Sequence, residues 1–328
     1  MSPWAIGIDL GGTAVKAAVV SLQEGIVLDR AVPTDTTSGP EGIVVQLADL
    51  IASLHAEAPA DLHRHDFSGI GLGAPGAVDT EKGTLSYPPN LPGWTTFPLR
   101  SALEGALQER LQAGAPVFIE NDANAAAYGE AVYGAGRGFR DFLMVTLGTG
   151  VGGGIVLNRK LYRGPSGTAG EIGFMIVDFA GPFIHAGIRG TIEGMIGKER
   201  IVEYACGLIR ENPAEGSALS SMCGNDFSSL SPRHIERAAK EGDSLSLAVW
   251  DRVGSILGVG FAGVTALMDI RKFVIGGGIS AAGSLIFEPA YRQFIRSTLP
   301  SMHEGVELVP AELGNRAGMY GAAALCFA

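Results

Sequence analysis

The sequence predicts an α/β protein of two domains, on the evidence of its length, its composition and a repeated hairpin pattern. Its 328 residues are too many for one ordinary hydrophobic core and suit two α/β domains. Hydrophobic residues make up 46% of the chain and charged residues 18%, a globular composition, and 48 glycines indicate many turns. We place an N-terminal domain at residues 1–116 with a C-terminal helix at 317–328, and a larger C-terminal domain at 117–316.

Two related glycine hairpins are the most informative feature of the chain. They read IGIDLGGTAVKAAVV from Ile6 and FLMVTLGTGVGGGIV from Phe142. Short apolar runs joined by glycine-rich turns favour β-hairpins. Glycine lets backbone N–H groups approach an anion closely, and a nest of such groups with a threonine hydroxyl suits a phosphate. Two such turns suggest that a nucleotide binds between two similar domains. The alternative is that both are ordinary tight turns.

The second hairpin also matches a dinucleotide-binding pattern, G-x-G-x-x-G, at residues 148–153. That pattern requires a helix after the glycines, whose N-terminus faces the pyrophosphate. Here IVLN follows Gly154, which is typical of a strand. We therefore interpret the match as accidental.

Charge and cysteine usage restrict the partners and the compartment. A net charge of -10 argues against nucleic acid or an anionic membrane as a partner, because both select a basic face. The longest uncharged stretch, residues 253–268, is shorter than a membrane span and is predicted to be a buried helix. The three cysteines lack metal-ligand spacing, and no signal peptide is recognised, so we expect a cytoplasmic protein without membrane partners.

The remaining elements follow from periodicity and turn residues. In the first domain we expect a strand at residues 26–32, a helix at 42–57, an irregular loop at 76–99 and a helix at 101–112 with a Ser101–Glu104 capping box. In the second we expect a strand from Val117, helices at 123–132, 232–241 and 245–268, a loop at 213–231, a strand at KFVIGGG and a helix from Leu285.

Two acidic positions follow apolar strands. Asp9 precedes the first glycine turn, where a carboxylate can hold hydrated Mg²⁺ or cap its own turn. Lys16 either reaches an anion or extends to solvent.

Asn121 and Asp122 begin a helix, and one of them can act as its N-cap. One helix needs only one cap, so the other polar side chain is left for a second role. This favours a ligand site in which Asp122 accepts the proton of an attacking hydroxyl.

Other polar residues stand among glycines and prolines. Glu171 and Glu193 lie in glycine-rich segments and suit hydroxyl-rich ligands, or they are exposed surface residues. Asn90 and Trp94 offer an amide and an aromatic face in PPNLPGW. FVIGGGI from Phe273 leaves bare backbone for a nucleotide base or forms a plain turn.

With these motifs in order, the chain resembles the ROK family of sugar kinases, which includes bacterial glucokinases. The motifs are DLGGT at Asp9, GAPGAVD at Gly73, PPNLPGW at Pro88, ENDANAAA at Glu120, TLGTGVGGGIV at Thr146, GTAGEIG at Gly167, IGGGIS at Ile275 and GMYGAAALC at Gly318. The resemblance implies an actin-like ATPase fold of two ribonuclease-H-like domains, with ATP and a hexose in the cleft between them.

The resemblance also implies a role for each matching residue. Asp122 would be the catalytic base, and Asp9 would hold Mg²⁺ through water. The expected sugar-binding residues are Gly76, Asn90, Asn121, Asp122, Glu171 and Glu193. The expected nucleotide-binding residues are Asp9, Gly11, Gly12, Thr13, Lys16, Thr149, Gly150, Gly277 and Gly278. A homodimer is expected on the same basis.

One segment departs from the family pattern. Most members have a histidine after GEIG and then a cysteine-rich zinc motif, whereas this chain has Phe174 and no cysteine in DFAGPFIHAGIRGTIE. His185 alone cannot hold a zinc ion, which prefers four nitrogen or sulfur ligands. We therefore expect no zinc site.

The sequence thus predicts an ATP-dependent hexose kinase that transfers the γ-phosphoryl group to a sugar hydroxyl. Glucose is the first choice of sugar, with N-acetylmannosamine and fructose still open. Two alternatives are a polyphosphate-dependent glucokinase and a non-catalytic sugar-sensing regulator. Regulators of this family carry a DNA-binding segment ahead of the sugar domain, whereas the first strand here starts at Trp4.

Overall fold

The structure is a computed structural model that describes residues 2–111, 114–182, 187–212, 218–219, 221 and 227–328. Its strands are β1 Trp4–Leu10, β2 Ala14–Ser21, β3 Gly25–Pro33, β4 Phe67–Ala74, β5 Ala77–Asp79, β6 Thr84–Ser86, β7 Thr96–Phe97, β8 Val117–Asn121, β9 Phe142–Leu147, β10 Val151–Leu157, β11 Lys160–Tyr162, β12 Lys272–Gly276 and β13 Glu307–Pro310. The helices described are α1 Gly39–Glu57, α2 Leu99–Leu111, α3 Asp122–Tyr133, α4 Ile192–Ile196, α5 Lys198–Glu211, α6 Pro232–Lys240, α7 Ser244–Met268, α8 Ser284–Ser297 and α9 Ala317–Ala324.

Contacts group the chain into two compact units. The first comprises Met1–Arg140, Gly154–Gly170 and Ala311–Ala328, and the second comprises Asp141–Gly153 and Glu171–Pro310. The grouping keeps residues 117–140 with the first unit, because β8 is hydrogen-bonded to β4. The domain division after residue 116 stays a prediction.

The first unit is built on a five-stranded sheet in the order β3-β2-β1-β4-β8. The first three strands form an antiparallel meander, while β4 pairs in parallel with both β1 and β8. Alternate side chains of β1 therefore face opposite sides of the sheet. Ile6 and Ile8 join a core with α1 and α2, whereas Ala5 packs with Met319 and Ala323 of α9.

Helix α9 lies unusually close to its neighbours in the first unit. A β-carbon built on Gly71 of β4 would lie 1.7 Å from the carbonyl oxygen of Ala322. One built on Gly321 would lie 1.6 Å from the carbonyl oxygen of Ala125 in α3. Only glycine, which has no β-carbon, permits the backbones to lie this close together. The small-residue composition of α9 is therefore a packing requirement.

Two local expectations for the first unit are wrong. The segment predicted to be an irregular loop at 76–99 contains a three-stranded antiparallel sheet, β5-β6-β7. The capping box is absent, because α2 begins at Leu99, two residues early. Ser101 Oγ instead donates to the carbonyl of Pro98, and Glu104 Oε1 accepts the N–H of Val117.

The glycine patterns do form hairpins. Strand β2 follows β1 after the Gly11–Thr13 turn, and β10 follows β9 after residues 148–150. A strand, and not a helix, follows Gly150, which agrees with the interpretation that the match to the dinucleotide-binding pattern is accidental. Strands β10 and β11 form a further hairpin whose two turn residues, Asn158 and Arg159, both have positive φ, at 53° and 63°.

The second unit contains the parallel strands β9, β12 and β13, with β12 paired to both of the others. Its core includes a row of rings in which Phe261 stacks on Phe273 at 4.2 Å between centroids, and Phe273 lies 6.3 Å from Phe294. Residues 213–217, 220 and 222–226 of the predicted loop lie outside the described residues.

The predicted apolar helix at 245–268 is α7. By length and composition it could cross a membrane, but 61% of its most apolar window is buried inside the structure. A β-carbon on Gly254 would lie 2.4 Å from the carbonyl oxygen of Ile286, and one on Gly258 would lie 2.4 Å from that of Ala290. The helix is therefore packed directly against α8, as expected of a core helix.

Candidate active site

Two predicted site residues of the first unit, Asp9 and Asp122, lie at the carboxyl ends of parallel strands of one sheet. Asp9 of β1 is in register with Gly73 of β4, and Ala74 of β4 is in register with Asn121 of β8. The carboxyl ends of these strands therefore meet at one edge of the sheet, the usual position of ligands in α/β sheets. The first unit thus brings together the Asp9 and Asp122 regions, which are more than one hundred residues apart in sequence.

The first hairpin places a charge pair beside its turn. Asp9 and Lys16 are opposite each other across the hairpin, and Lys16 Nζ lies 3.2 Å from Asp9 Oδ2. Lys16 thus pairs with a carboxylate of its own hairpin. A β-carbon on Gly318, at the start of α9, would lie 2.9 Å from Asp9 Cγ. The glycine leaves room at this carboxylate, which remains 22% exposed.

Asn121 is the N-cap of α3, the structural alternative considered for it. Its Oδ1 accepts the N–H groups of Ala123 and Asn124 at 2.9 and 3.2 Å, and its Nδ2 donates to the carbonyl of Gly76 at 3.2 Å. Asp122 is the first helical residue, half-buried, and its Oδ1 accepts the N–H of Ala123 at 2.8 Å. Asp122 is therefore not needed as the cap.

Asn90 lies beside the first glycine turn. Its φ of 66° is left-handed, a conformation that asparagine tolerates better than most residues. A β-carbon on Gly12 would lie 2.5 Å from Asn90 Cβ. Gly76 has a φ of 100°, and a β-carbon there would lie 2.9 Å from Pro88 Cα. The predicted sugar-binding residues Gly76 and Asn90 are thus on segments that pack near a predicted phosphate turn.

The expectation that Trp94 offers an open aromatic face is wrong. Its side chain is 6% exposed and packs edge-on against Phe97 at 5.3 Å. Tryptophan carries more apolar area than any other side chain in the PPNLPGW segment, and its burial anchors that segment to the core of the first unit.

In the second unit, the hairpin and a predicted sugar carboxylate are in direct contact. Glu193 Oε2 accepts the N–H of Val151 at 2.9 Å, and a β-carbon on Gly150 would lie 2.2 Å from that oxygen. Glu193 lies in the first turn of α4, which Thr191 caps by accepting the N–H of Gly194 at 3.0 Å. The sequence did not predict this contact, because 42 residues separate its partners.

Burial and the neighbouring Glu193 both act on the charge of Glu171. Partial burial of the carboxyl raises the pKa of Glu171 from its ordinary 4.5, and the negative charge of Glu193 raises it further. Phe174, at the position where a histidine was expected from the family pattern, ends the short 3₁₀ turn after Glu171 and is 39% exposed. Its ring supplies no hydrogen-bond donor to a ligand.

Gly277 and Gly278 follow β12, whose Gly276 is in register with Thr146 of β9. Gly277 has a φ of 86°, and a β-carbon there would lie 2.3 Å from the carbonyl oxygen of Leu147. The second unit therefore places the exposed glycines after β12 beside the turn that contains exposed Thr149 and half-buried Gly150. This supports the predicted grouping of these residues without assigning them a ligand.

Within the described residues, no group of three or more His, Cys, Asp or Glu side chains could hold a metal ion. His185 lies outside those residues. The expected absence of zinc stays a prediction. A hydrated Mg²⁺ needs fewer protein ligands, and the single half-buried carboxylate of Asp9 fits such an ion.

In sequence and fold the chain is similar to sugar kinases and to xylose repressors. The ROK family model matches residues 5–328. A glucokinase of Streptomyces coelicolor is 34% identical over 321 residues, which cover 98% of this chain and 96% of that protein. The xylose repressor of Bacillus subtilis is 29% identical over 97% of this chain and 75% of its own length. The crystal structure of a ROK family glucokinase from Streptomyces griseus with glucose and AMPPNP has 34% identity and a TM-score of 0.77, and covers 98% of each chain.

The chain is therefore an α/β protein of the actin-like ATPase class, as predicted. It belongs to the ROK family.

Proposed function

We propose that this chain is an ATP-dependent hexose kinase and that glucose is the sugar it phosphorylates. The similarity to glucokinases over nearly the full chain supports the reaction class and the sugar class. The observation that carries the proposal is the position of Asp122. It follows β8 at the same carboxyl edge of the sheet as Asp9 of β1, with β4 between the two strands, and a separate residue caps its helix.

Asp122 would act as the general base that accepts the proton of the attacking sugar hydroxyl. In the first unit, Gly76, Asn90 and Asn121 would contact the sugar. In the second unit, Glu171 and Glu193 would accept hydrogen bonds from sugar hydroxyls, for which two carboxylates are well suited. Because phosphoryl transfer depends mainly on positioning and charge neutralisation, these contacts would place the hydroxyl for reaction.

The nucleotide would use backbone groups of both hairpins and the glycines after β12. Gly11, Gly12 and Thr13 form the first turn, Thr149 and Gly150 the second, and Gly277 and Gly278 the third. Mg²⁺ would neutralise charge on the phosphates when bound, and Asp9 would hold it through water. Lys16 would stabilise the same phosphates after exchanging its ion pair with Asp9.

A coupled assay of ADP release with glucose, fructose and N-acetylmannosamine tests the proposal. We expect glucose-dependent turnover with Mg-ATP. An assay of sugar-phosphate formation with polyphosphate in place of ATP tests the alternative donor, which releases no ADP. Turnover with polyphosphate alone would overturn ATP as the donor, and no turnover with any sugar would overturn the kinase.

The similarity to a xylose repressor specifically favours a sugar-sensing regulator as a second candidate. A regulator would bind sugar without transferring a phosphoryl group to it. Sugar binding detected by calorimetry, together with no turnover of the same sugar, would support that candidate.

We further propose that the chain binds neither nucleic acid nor membranes, which the net charge of -10 and the burial of α7 support. A cytoplasmic homodimer is proposed from the resemblance to the family alone.

A further inference from the structure

Glu120 is a buried carboxylate directly before the Asn121–Asp122 pair. Its side chain is only 2% exposed, although glutamate is normally a surface residue. Burying an ionised carboxylate is costly unless hydrogen bonds and an opposite charge compensate it. A buried charge adjacent to the proposed base therefore requires a physical explanation.

The contacts of Glu120 lie on both sides of Asp122. Glu120 Oε1 accepts the N–H of Asn121 at 3.0 Å and the side-chain Nδ2 of Asn124 at 3.0 Å. Glu120 Oε2 accepts from Arg163 Nε at 2.5 Å. One carboxylate thus holds the residue before Asp122 and the residue two positions after it.

Arg163 supplies the opposite charge from the end of the β10–β11 hairpin. Its side chain is 36% exposed, so it reaches from the surface to the buried carboxylate. No other ion pair joins a described acidic residue as strongly buried as Glu120 to a cation. Arg163 directly follows Tyr162, which is paired with Ile155 across the hairpin, so the strand pairing holds the backbone just before Arg163.

We propose that Glu120 and Arg163 are positioning residues for Asp122. The carboxylate of Glu120 fixes the backbone from strand β8 into helix α3, and Arg163 supplies the opposite charge that compensates the burial of that carboxylate. This inference rests on the proposed role of Asp122 as the base. A base must lie about 2.6–3.2 Å from the hydroxyl that it deprotonates, and a shift of about 1 Å can cost about 100-fold in rate.

The test compares Glu120→Gln, Arg163→Gln, Arg163→Lys and the double variant Glu120→Gln/Arg163→Gln. We expect each single glutamine variant to lower kcat by about 10- to 100-fold, with the KM for sugar changed less than about 3-fold. Arg163→Lys should recover part of kcat because it restores the charge. Matched controls are Arg159→Gln, in the turn of the same hairpin, and Glu312→Gln, in an exposed ion pair with Arg137.

The double variant separates positioning from general destabilisation. Arg163→Gln leaves a buried charge without a partner, whereas the double variant removes both charges. We therefore expect the double variant to lose less kcat than the product of the two single losses. Multiplicative losses, or kcat within about twofold of wild type in folded single variants, would overturn the proposal.

Failure of the proposed function would be recognised separately. If the wild-type protein phosphorylates no sugar, the kinase proposal fails while amide hydrogen exchange still tests the positioning. Exchange at Asn121 and Ala123 should be at least about tenfold faster in Arg163→Gln than in Arg159→Gln. Equal exchange in the two variants would overturn the positioning role.

Discussion

Glu171 and Glu193 show how one residue can set the chemistry of another. Both are carboxylates in the second unit, and the charge of Glu193 contributes to the raised pKa of Glu171. Glu193 is itself held by the N–H of Val151. A ligand that donates hydroxyl hydrogen bonds binds the ionised form of Glu171, so its affinity depends on pH.

We predict that sugar affinity falls as the pH is lowered through the raised pKa of Glu171. The pKa lies above the ordinary 4.5, so the carboxylate protonates, and affinity is lost, at a higher pH than for an unperturbed glutamate. In Glu193→Gln the repelling charge is gone, and the midpoint should move to lower pH. The sugar KM measured against pH gives the midpoint.

The control for that profile is Glu199→Gln, which neutralises an exposed glutamate in the first turn of α5. Its midpoint should equal that of the wild type. A midpoint that does not move in Glu193→Gln would contradict the coupling of the two carboxylates.

Asp122 is predicted to be required for turnover and not for folding. Asp122→Ala should lower kcat by at least about 100-fold while sugar still binds, because the base acts only in the reaction step. Stopped assays of ADP release and calorimetric sugar binding measure the two effects. Asp29→Asn, on the exposed side of β3, is the control. Near-normal turnover of Asp122→Ala would eliminate this mechanism.

At the scale of elements, close backbone approaches determine where the site residues lie. The second hairpin touches Glu193 through Gly150, and α9 touches β4 and α3 through glycines. Such contacts leave no space for a methyl group, so single Gly→Ala changes test them. Each has a matched glycine with open space in the same unit.

Gly150→Ala should weaken sugar binding, because its methyl group would displace the Glu193 carboxylate, which lies 2.2 Å from the β-carbon position. We expect the sugar KM to rise on the order of tenfold, as when a positioned hydrogen bond of about 1.5 kcal/mol is lost. Gly148→Ala meets no atom within 4 Å and should leave the sugar KM unchanged. Equal sugar KM values for the two variants would refute the contact as a determinant of binding.

Gly321→Ala should destabilise the first unit, because it forces α9 away from the carbonyl of Ala125. Overpacking of this kind costs about 1–3 kcal/mol. Gly105→Ala, in α2, has open space around the new methyl group and should stabilise by about 0.5–1 kcal/mol through helix propensity. Chemical denaturation of both variants measures the difference, and the same sign for both would contradict it.

For the whole molecule, ligand binding is expected to raise the apparent stability. A ligand at 100 times its Kd adds about 2.7 kcal/mol when it binds only the folded state. We therefore predict a higher Tm with glucose and a further increase with a non-hydrolysable ATP analogue and Mg²⁺. Xylose is the comparison sugar, and a larger Tm increase with xylose than with glucose would argue against a glucose kinase.

The sequence by itself determined the α/β class, the hairpins, the buried helix α7 and the motifs of the ROK family. These features depend on local periodicity and on residue types within short segments, which a single chain displays directly. It also placed Asp122 correctly at the start of a helix after a strand.

Only the tertiary structure decided which distant residues touch. The Glu193–Val151 and Glu120–Arg163 contacts join residues more than forty positions apart, and no local pattern encodes such pairs. The same reason explains the wrong expectations. Glu104 accepts the N–H of Val117 instead of forming the capping box, and Trp94 is buried in the core. Burial and long-range hydrogen bonds outweighed the local preference in both cases.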